Sequence, residues 1–511
     1  MRFPTEREKT MPNQPSPLTK PTLDKDLDKL SYVEGAAEHV GNWLIAPGYA
    51  LIFLGIAMLF AGSYVLDRPG ATLVIAGVAL AGYMALNIGA KDVANTVGAA
   101  VGARALSMRH ALVMAAIFEV LGATIAGGPV VQTISSSIVD TSRLVDSGLL
   151  AWIMISALTA AAVWINLATW LKAPVSTTHA IVGAVIGAGI ASVGVDTIHW
   201  RTVVAISLTW MVTPLLAGAI AAGFLYLIKT FIIYREDKIR AARFWIPILT
   251  GTMAGTFFAY LLLVLTRAAP LPPVIVLAAG VALGLFVWLL ARPLVARQSL
   301  GLENKNSALR SLFRLPLICS AALLSFAHGA NDIANAIGPL AAIVRTAGLS
   351  AAEPSGAAPF WVILIGGCGI SVGILLFGPR LIRLVGEQIT KLNPMRGYCV
   401  ALSAALTVIV ASWFGLPVSS THVAIGAVFG VGFFREWYTR HSRRRYEYIR
   451  VRAGKDVDPE EPIERNEEEI QRRFLVRRSH FLSIVAAWMI TLPASAVLAA
   501  VIATIVFALF T

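Results

Sequence analysis

The chain has 511 residues, 57% of them hydrophobic and only 14% charged, with a formal net charge of +13. Soluble domains carry about 25% charged residues, so a water-soluble globular protein is excluded. The basic excess is spread over several loops between apolar runs, which argues against nucleic-acid binding and for loops gathered on one side of a bilayer. In chain order, residues 1–42 are polar and mixed in charge, and are expected to form a disordered cytoplasmic tail with a short helix near Leu30–Val40. They lack the layout of a secretory signal peptide. An extra membrane helix is expected at 43–66. Apolar stretches follow at 71–90, 110–127, 148–171, 203–228, 244–266, 274–291, 358–378, 395–414 and 481–510. Each approaches or exceeds the ~20 residues a helix needs to cross hydrocarbon. Backbone in lipid must be hydrogen-bonded within its own segment, so about ten to thirteen helical elements are expected, some of them broken. Cys319, Cys368 and Cys399 lie in apolar stretches without metal-ligand spacing and read as buried small hydrophobes. No cofactor or resident metal is expected.

The chain repeats itself. Gly89-Ala90-Lys91-Asp92-Val93-Ala94-Asn95 is matched by Gly329-Ala330-Asn331-Asp332-Ile333-Ala334-Asn335, an offset of 240 residues between the aspartates. Ala173-Pro174-Val175-Ser176-Thr177-Thr178-His179 is matched by Leu416-Pro417-Val418-Ser419-Ser420-Thr421-His422, an offset of 243 between the histidines. A third pair, Trp210-Met211-Val212-Thr213 and Trp488-Met489-Ile490-Thr491, stands 278 apart, and the charged segment 435–479 makes up the difference. Three landmarks in one order define a first repeat at 71–230, a linking hairpin with a basic cytoplasmic loop at 231–312, and a second repeat at 313–511 carrying the cytoplasmic insertion 435–479. Basic residues crowd Lys229–Arg243, Arg292–Arg314 and Arg435–Arg478, whereas the loops near Asp67–Gly70, Val193–Trp200 and Ala268–Pro273 are far less basic. Placing the first group inside turns the two repeats in opposite directions. It also puts the N-terminus in the cytoplasm and the C-terminus outside. The expected fold is therefore an all-α polytopic membrane protein with two inverted repeats and broken or re-entrant helices at a central site. The insertion reads as a solvated helical hairpin, with a regulatory or lipid-headgroup contact as the sharper alternative.

The paired motifs carry complementary chemistry. Proline suits the first turn of a helix, and the residues after it present free N–H groups and hydroxyls. A helix N-terminus of this kind is a ready anion site, and two of them facing each other would surround a tetrahedral oxyanion. Ser176, Thr177, Thr178, Ser419, Ser420 and Thr421 are the candidate donors. Asp92, Asn95, Asp332 and Asn335, with Asn331 and the lone intramembrane carboxylate Glu119, supply the opposite side: oxygens for a hard cation such as Na⁺, or a carrier for H⁺. The neighbouring glycines are expected to let the backbone unwind there. Lys91 stands where the second copy has Asn331; it either neutralises Asp92 or snorkels to the interface. His179, His422 and His328 read as hydrogen-bonded packing residues. Two symmetric copies without a Gly-x-Ser-x-Gly elbow exclude a Ser–His hydrolase, so no enzyme is expected.

These residues closely resemble the PiT family of inorganic phosphate transporters, which carries two inverted copies of Gly-Ala-Asn-Asp-x-Ala-Asn and two Pro-Val-Ser-x-Thr-His segments. The second signature here matches fully, the first matches except at Lys91, both heptapeptides match, and Phe118-Glu119 falls where members carry an acidic residue. The resemblance covers about Leu73 to Val506. It implies alternating-access symport of phosphate driven by Na⁺ or H⁺. Asp92, Asn95, Asp332 and Asn335 would then serve ion and substrate, and the heptapeptide hydroxyls would bind phosphate. Lys91, and Ala401 where some members have a further acid, tilt the expectation towards H⁺ or fewer Na⁺ ions. Other cargoes in keeping with the motifs are sulfate and a metal–phosphate complex; a phosphate sensor would rest on the 435–479 insertion. The expected partners are inorganic phosphate, a coupling cation and the lipid bilayer of a prokaryotic inner membrane, with homo-oligomerisation open and no nucleic acid.

Overall fold

The structure is a computed structural model that describes residues 44–144, 147–171, 173, 175–348, 358–388, 393–445, 447–448 and 478–510. The tail 1–42, the helix expected near Leu30–Val40, Pro174 and most of the 435–479 insertion lie outside the described residues. The chain divides into two units, Met1–Leu51 and Ile52–Thr511. The first is described only over residues 44–51, which are helical; all contacts below lie within the second. The helices are α1 Leu44–Val65, α2 Ala71–Gly102, α3 Met108–Ala126, α4 Gly128–Ser136, α5 Ser147–Trp170, α6 Thr177–Val193, α7 Trp200–Ile228 and α8 Lys238–Leu265. They continue with α9 Pro273–Gln298, α10 Asn306–Leu312, α11 Arg314–Asp332, α12 Ala334–Thr346, α13 Phe360–Gln388, α14 Pro394–Trp413, α15 Ser420–His441 and α16 Arg478–Phe510. Among the described residues the only β pairing is a single bridge, Val139 to Ile198.

Among the described residues eleven spans are long and apolar enough to cross a membrane, α11 and α12 together forming one of them. Two differ from the sequence expectation. The helix expected to end at residue 90 runs without a break through the first signature to Gly102. The second signature lies in a span, Arg314–Thr346, that hydropathy did not single out, because His328, Asn331, Asp332 and Asn335 depress its average. Burial compensates: 89% of its most apolar window is enclosed by protein, against 17% for α9. A segment surrounded by other helices does not need an apolar surface on every side. Between α11 and α12 only Ile333 interrupts the helix, and its dihedrals stay helical (φ −55°, ψ −35°).

The packing is reciprocal. α2 packs on α13 while α11 packs on α3, and α6 packs on α16 while α15 packs on α7. Glycines make each contact possible. A Cβ at Gly89 would strike the Ile370 carbonyl of α13, and one at Gly373 would strike the Leu86 carbonyl of α2. In the matching contact, Gly329 meets the backbone of Glu119 and Gly122 meets that of Phe326. Gly183 and Gly187 of α6 lie against Leu492 and Ala496, as Gly426 and Gly430 of α15 lie against Pro214 and Gly218. The signature glycines therefore serve close helix packing, the role small residues play between membrane helices. They do not unwind the backbone as the sequence suggested.

Candidate functional site

Both heptapeptides end one helix-free turn and open the next helix. Ser176 is extended (φ −90°, ψ 130°), and so is Ser419 (φ −86°, ψ 105°). Each caps its helix through the side-chain oxygen, which accepts from His179 N at 3.2 Å or from His422 N at 3.3 Å. Ser and Thr are good caps because their short oxygen reaches one of the N–H groups that the helix leaves unpaired. The next N–H groups, at Thr177 and Thr178 and at Ser420 and Thr421, have no intrahelical acceptor.

The two signatures meet these helix starts from the other side. Thr421 Oγ1 donates to Asp92 Oδ1 at 3.0 Å, and Asn95 Nδ2 donates both to Thr421 Oγ1 at 3.0 Å and to Asp92 Oδ1 at 3.1 Å. Thr177 Oγ1 reaches Asp92 Oδ2 at 3.4 Å. In the other half, Ser420 Oγ donates to Asp332 Oδ2 at 2.6 Å and Asn335 Nδ2 donates to Thr178 Oγ1 at 3.1 Å. Each asparagine thus bonds a hydroxyl of the opposite copy. The match is incomplete: Thr178 donates to Val418 O at 3.0 Å rather than to a carboxylate. Asp332 Oδ1 and Asn335 Oδ1 are consequently left buried without a donor.

Lys91 and Asn331 hold equivalent places by different means. Lys91 Nζ donates to Val175 O of the first heptapeptide. Asn331 Nδ2 donates to Ser412 Oγ at 2.9 Å and Leu416 O at 3.1 Å, and its Oδ1 accepts from Val418 N at 3.1 Å. Both side chains fasten a heptapeptide to its signature helix. Lys91 makes no contact ion pair with Asp92, although its charge acts on that carboxylate.

Glu119 belongs to an arrangement the sequence did not reveal. His328 Nδ1 lies 2.8 and 2.7 Å from the two Glu119 oxygens. Its Nε2 lies 2.8 Å from Asp332 Oδ2, within ion-pair range although off the hydrogen-bond direction. All three side chains are completely buried. Ligand atoms of Asp92, His328 and Asp332 lie within 4.8 Å of one another, so carboxylates from both copies converge on one place. Two buried carboxylates this close repel, and burying charge is costly unless positive charge accompanies it. The pseudo-equivalent positions are apolar. Ile88 stands four residues before Asp92 as His328 stands before Asp332, and Ile370 touches Gly89 as Glu119 touches Gly329. That substitution in the aligned signatures was the available signal for His328.

His179 and His422 lie with ring centroids 4.9 Å apart, flanked by Trp210 at 3.9 Å from His179 and by Trp488 at 5.3 Å from His422. They are packing residues, as the sequence suggested, although their ring nitrogens have no hydrogen-bond partner. Trp210 Nε1 donates to Pro417 O at 2.8 Å, tying the third landmark of the first half to the second heptapeptide.

A model of the phosphate transporter family matches residues 88–499. A Helicobacter pylori protein bearing the name "Putative phosphate permease" is 39% identical, with 93% of this chain and 98% of the relative aligned. A Pyrococcus abyssi protein of similar name is 36% identical over 69% of this chain and 86% of its own. A solved structure described as the sodium-dependent phosphate transporter superposes with a TM-score of 0.73 at 32% identity, covering 86% of this chain and all of that one. An all-helical fold with helices long and apolar enough to cross a membrane, together with these matches, establishes that the chain belongs to the phosphate transporter family.

Proposed function

We propose that the chain imports inorganic phosphate by alternating access, coupled to a cation. The observation that carries this reading is the reciprocal bonding of Asn95 to Thr421 and of Asn335 to Thr178. It brings two helix N-termini, their hydroxyls and two carboxylates into one enclosed site, the arrangement transporters build at a repeat interface. The hydroxyls of Thr421 and Ser420 now donate to Asp92 and Asp332. Phosphate oxygens are acceptors of the same kind and can take over those bonds, while the freed carboxylates accept from a phosphate O–H that sulfate lacks. The reciprocal packing of α2, α3, α11 and α13 and the basic loops support two inverted repeats, at 71–230 and 313–511, with the N-terminus in the cytoplasm.

The coupling cation in this reading is Na⁺ at Asp332 Oδ1 and Asn335 Oδ1, two buried oxygens without donors. A second reading, H⁺, is favoured by the Glu119–His328–Asp332 chain. Radiolabelled phosphate uptake into proteoliposomes, with Na⁺ and pH gradients imposed separately, decides between them. Uptake that needs Na⁺ and ignores a protonophore supports the first; uptake driven by a pH gradient alone supports the second. Absence of uptake under either gradient, competition by sulfate at the level of phosphate, or an absolute need for a divalent cation would each overturn the phosphate reading as stated.

A further inference from the structure

The two halves treat one backbone carbonyl differently. Val175 and Val418 hold matching places, in the helix-free turns before α6 and α15. Asn331 bonds Leu416 O and the Val418 N–H but leaves Val418 O, which accepts instead from Thr178 of the other copy at 3.0 Å. Lys91 does the reverse: its ammonium goes directly to Val175 O. Transporters hold coupling cations on backbone carbonyls where membrane helices are interrupted. An ammonium bonded to such a carbonyl keeps a positive charge where a mobile cation would otherwise sit.

The surroundings of that charge fit this role. Lys91 precedes Asp92 in α2, and Thr177, which opens α6 just beyond Val175, reaches Asp92 Oδ2 at 3.4 Å. The carbonyl, the ammonium and the first carboxylate therefore share one corner of the central site. The carboxylates of the two halves differ accordingly. Asp92 Oδ1 is already filled by donors from Thr421 and Asn95. Asp332 Oδ1 and Asn335 Oδ1, with only the amide Asn331 in the place of Lys91, have no donor. One half thus carries its cation on a covalent stem, and the other keeps oxygens open for one that can leave.

We propose that Lys91 is a resident cation that stands in for one coupling ion, so that only the second half loads a mobile cation in each cycle. The inference rests on the reading of Asp332 and Asn335 as cation ligands of a phosphate importer. An asparagine at position 91 has the groups to bond its turn as Asn331 does and to leave Val175 O free, which opens a second Na⁺ site. The test compares full-length wild type, Lys91→Asn and Lys91→Arg in detergent without phosphate. NaCl replaces choline chloride at constant ionic strength, and thermal unfolding reports cation binding. Near saturation each bound cation raises the folded-to-unfolded ratio about tenfold per tenfold rise in its concentration. Lys91→Asn is expected to respond more steeply than wild type by one such factor, and Lys91→Arg to match wild type. A purely structural tie would lower the midpoint of Lys91→Asn without steepening its Na⁺ response. Equal steepness in Lys91→Asn and wild type, including a curve only displaced along the concentration axis, overturns the inference, and so does a gain shared by Lys91→Arg. In proteoliposomes with the membrane potential clamped, phosphate accumulation should depend on the Na⁺ gradient with one further power in Lys91→Asn, and an unchanged power overturns the inference. Absence of uptake by the wild type would instead overturn the proposed function, and the phosphate-free titration still decides the role of Lys91. Should Lys91→Asn fail to fold, Lys91→Gln takes its place under the same criteria.

Discussion

Ile88 and Ile370 occupy the positions that His328 and Glu119 occupy in the other half, so the molecule carries its own design for an apolar version of the pair. Glu119→Ile alone leaves His328 with Asp332 as its remaining carboxylate, and His328→Ile alone leaves Glu119 buried without its imidazole. Breaking one partner of a buried pair costs about 3–5 kcal/mol, whereas replacing both with well-packed apolar groups is often neutral. The double variant Glu119→Ile/His328→Ile is therefore expected to unfold above the His328→Ile single variant. Asp332 keeps its 2.6 Å bond from Ser420 in the double variant but loses the imidazole beside its Oδ2, so the wild-type temperature is not fully regained. Uptake should not recover with stability. If the pair contributes about 3 kcal/mol to the transport cycle, the double variant is slower by about a hundredfold. Thermal unfolding and proteoliposome uptake, measured on all four proteins, check both halves of the argument. A double variant no more stable than His328→Ile refutes the structural coupling, and one that transports at the wild-type rate refutes the functional role.

Other expectations follow from single contacts. Lys91→Asn should retain most uptake, because Asn331 ties its own heptapeptide in the same way, whereas Lys91→Leu leaves Val175 O unpaired at a cost of about 1–3 kcal/mol; equal impairment of the two in uptake and unfolding would count against the tie. Thr421→Val removes both the bond to Asp92 and the acceptor of Asn95, and should raise the half-saturating phosphate concentration about tenfold or more. An unchanged saturation curve would detach Thr421 from substrate binding. Ser419→Ala should lower stability by about 1 kcal/mol through the lost cap, read as an earlier thermal midpoint. Gly430→Val must separate α15 from Gly218 of α7 and should cost about 1–3 kcal/mol by the same measurement.

The sequence was informative where the chain repeats itself. Doubling of the heptapeptide and of the aspartate signature marked the polar side chains that meet in the structure, but the proline was expected in the first helical turn, whereas Ser419 caps a helix that starts at Ser420, beyond Pro417. What stayed hidden depends on distant partners. His328 and Glu119 are 209 residues apart, and no spacing rule joins a lone histidine to a lone glutamate on another helix. The signature glycines read as weak points in the backbone because the carbonyls they touch, at Ile370 and Glu119, are known only once the helices are packed. The span Arg314–Thr346 escaped a hydropathy criterion because it is shielded by neighbours rather than by its own side chains.

Asp92 and Asp332 already accept from Thr421 and Ser420, so the donors assigned to phosphate in the proposed cycle are satisfied without it. A carrier whose donors went unsatisfied when empty would be able to turn round only with cargo aboard, and would do no more than swap one phosphate for another. In the proposed cycle the two aspartates would act as internal surrogates for the cargo, so that the unloaded return step would need no passenger. For a molecule working by alternating access, that is the difference between an obligatory exchanger and one capable of net accumulation.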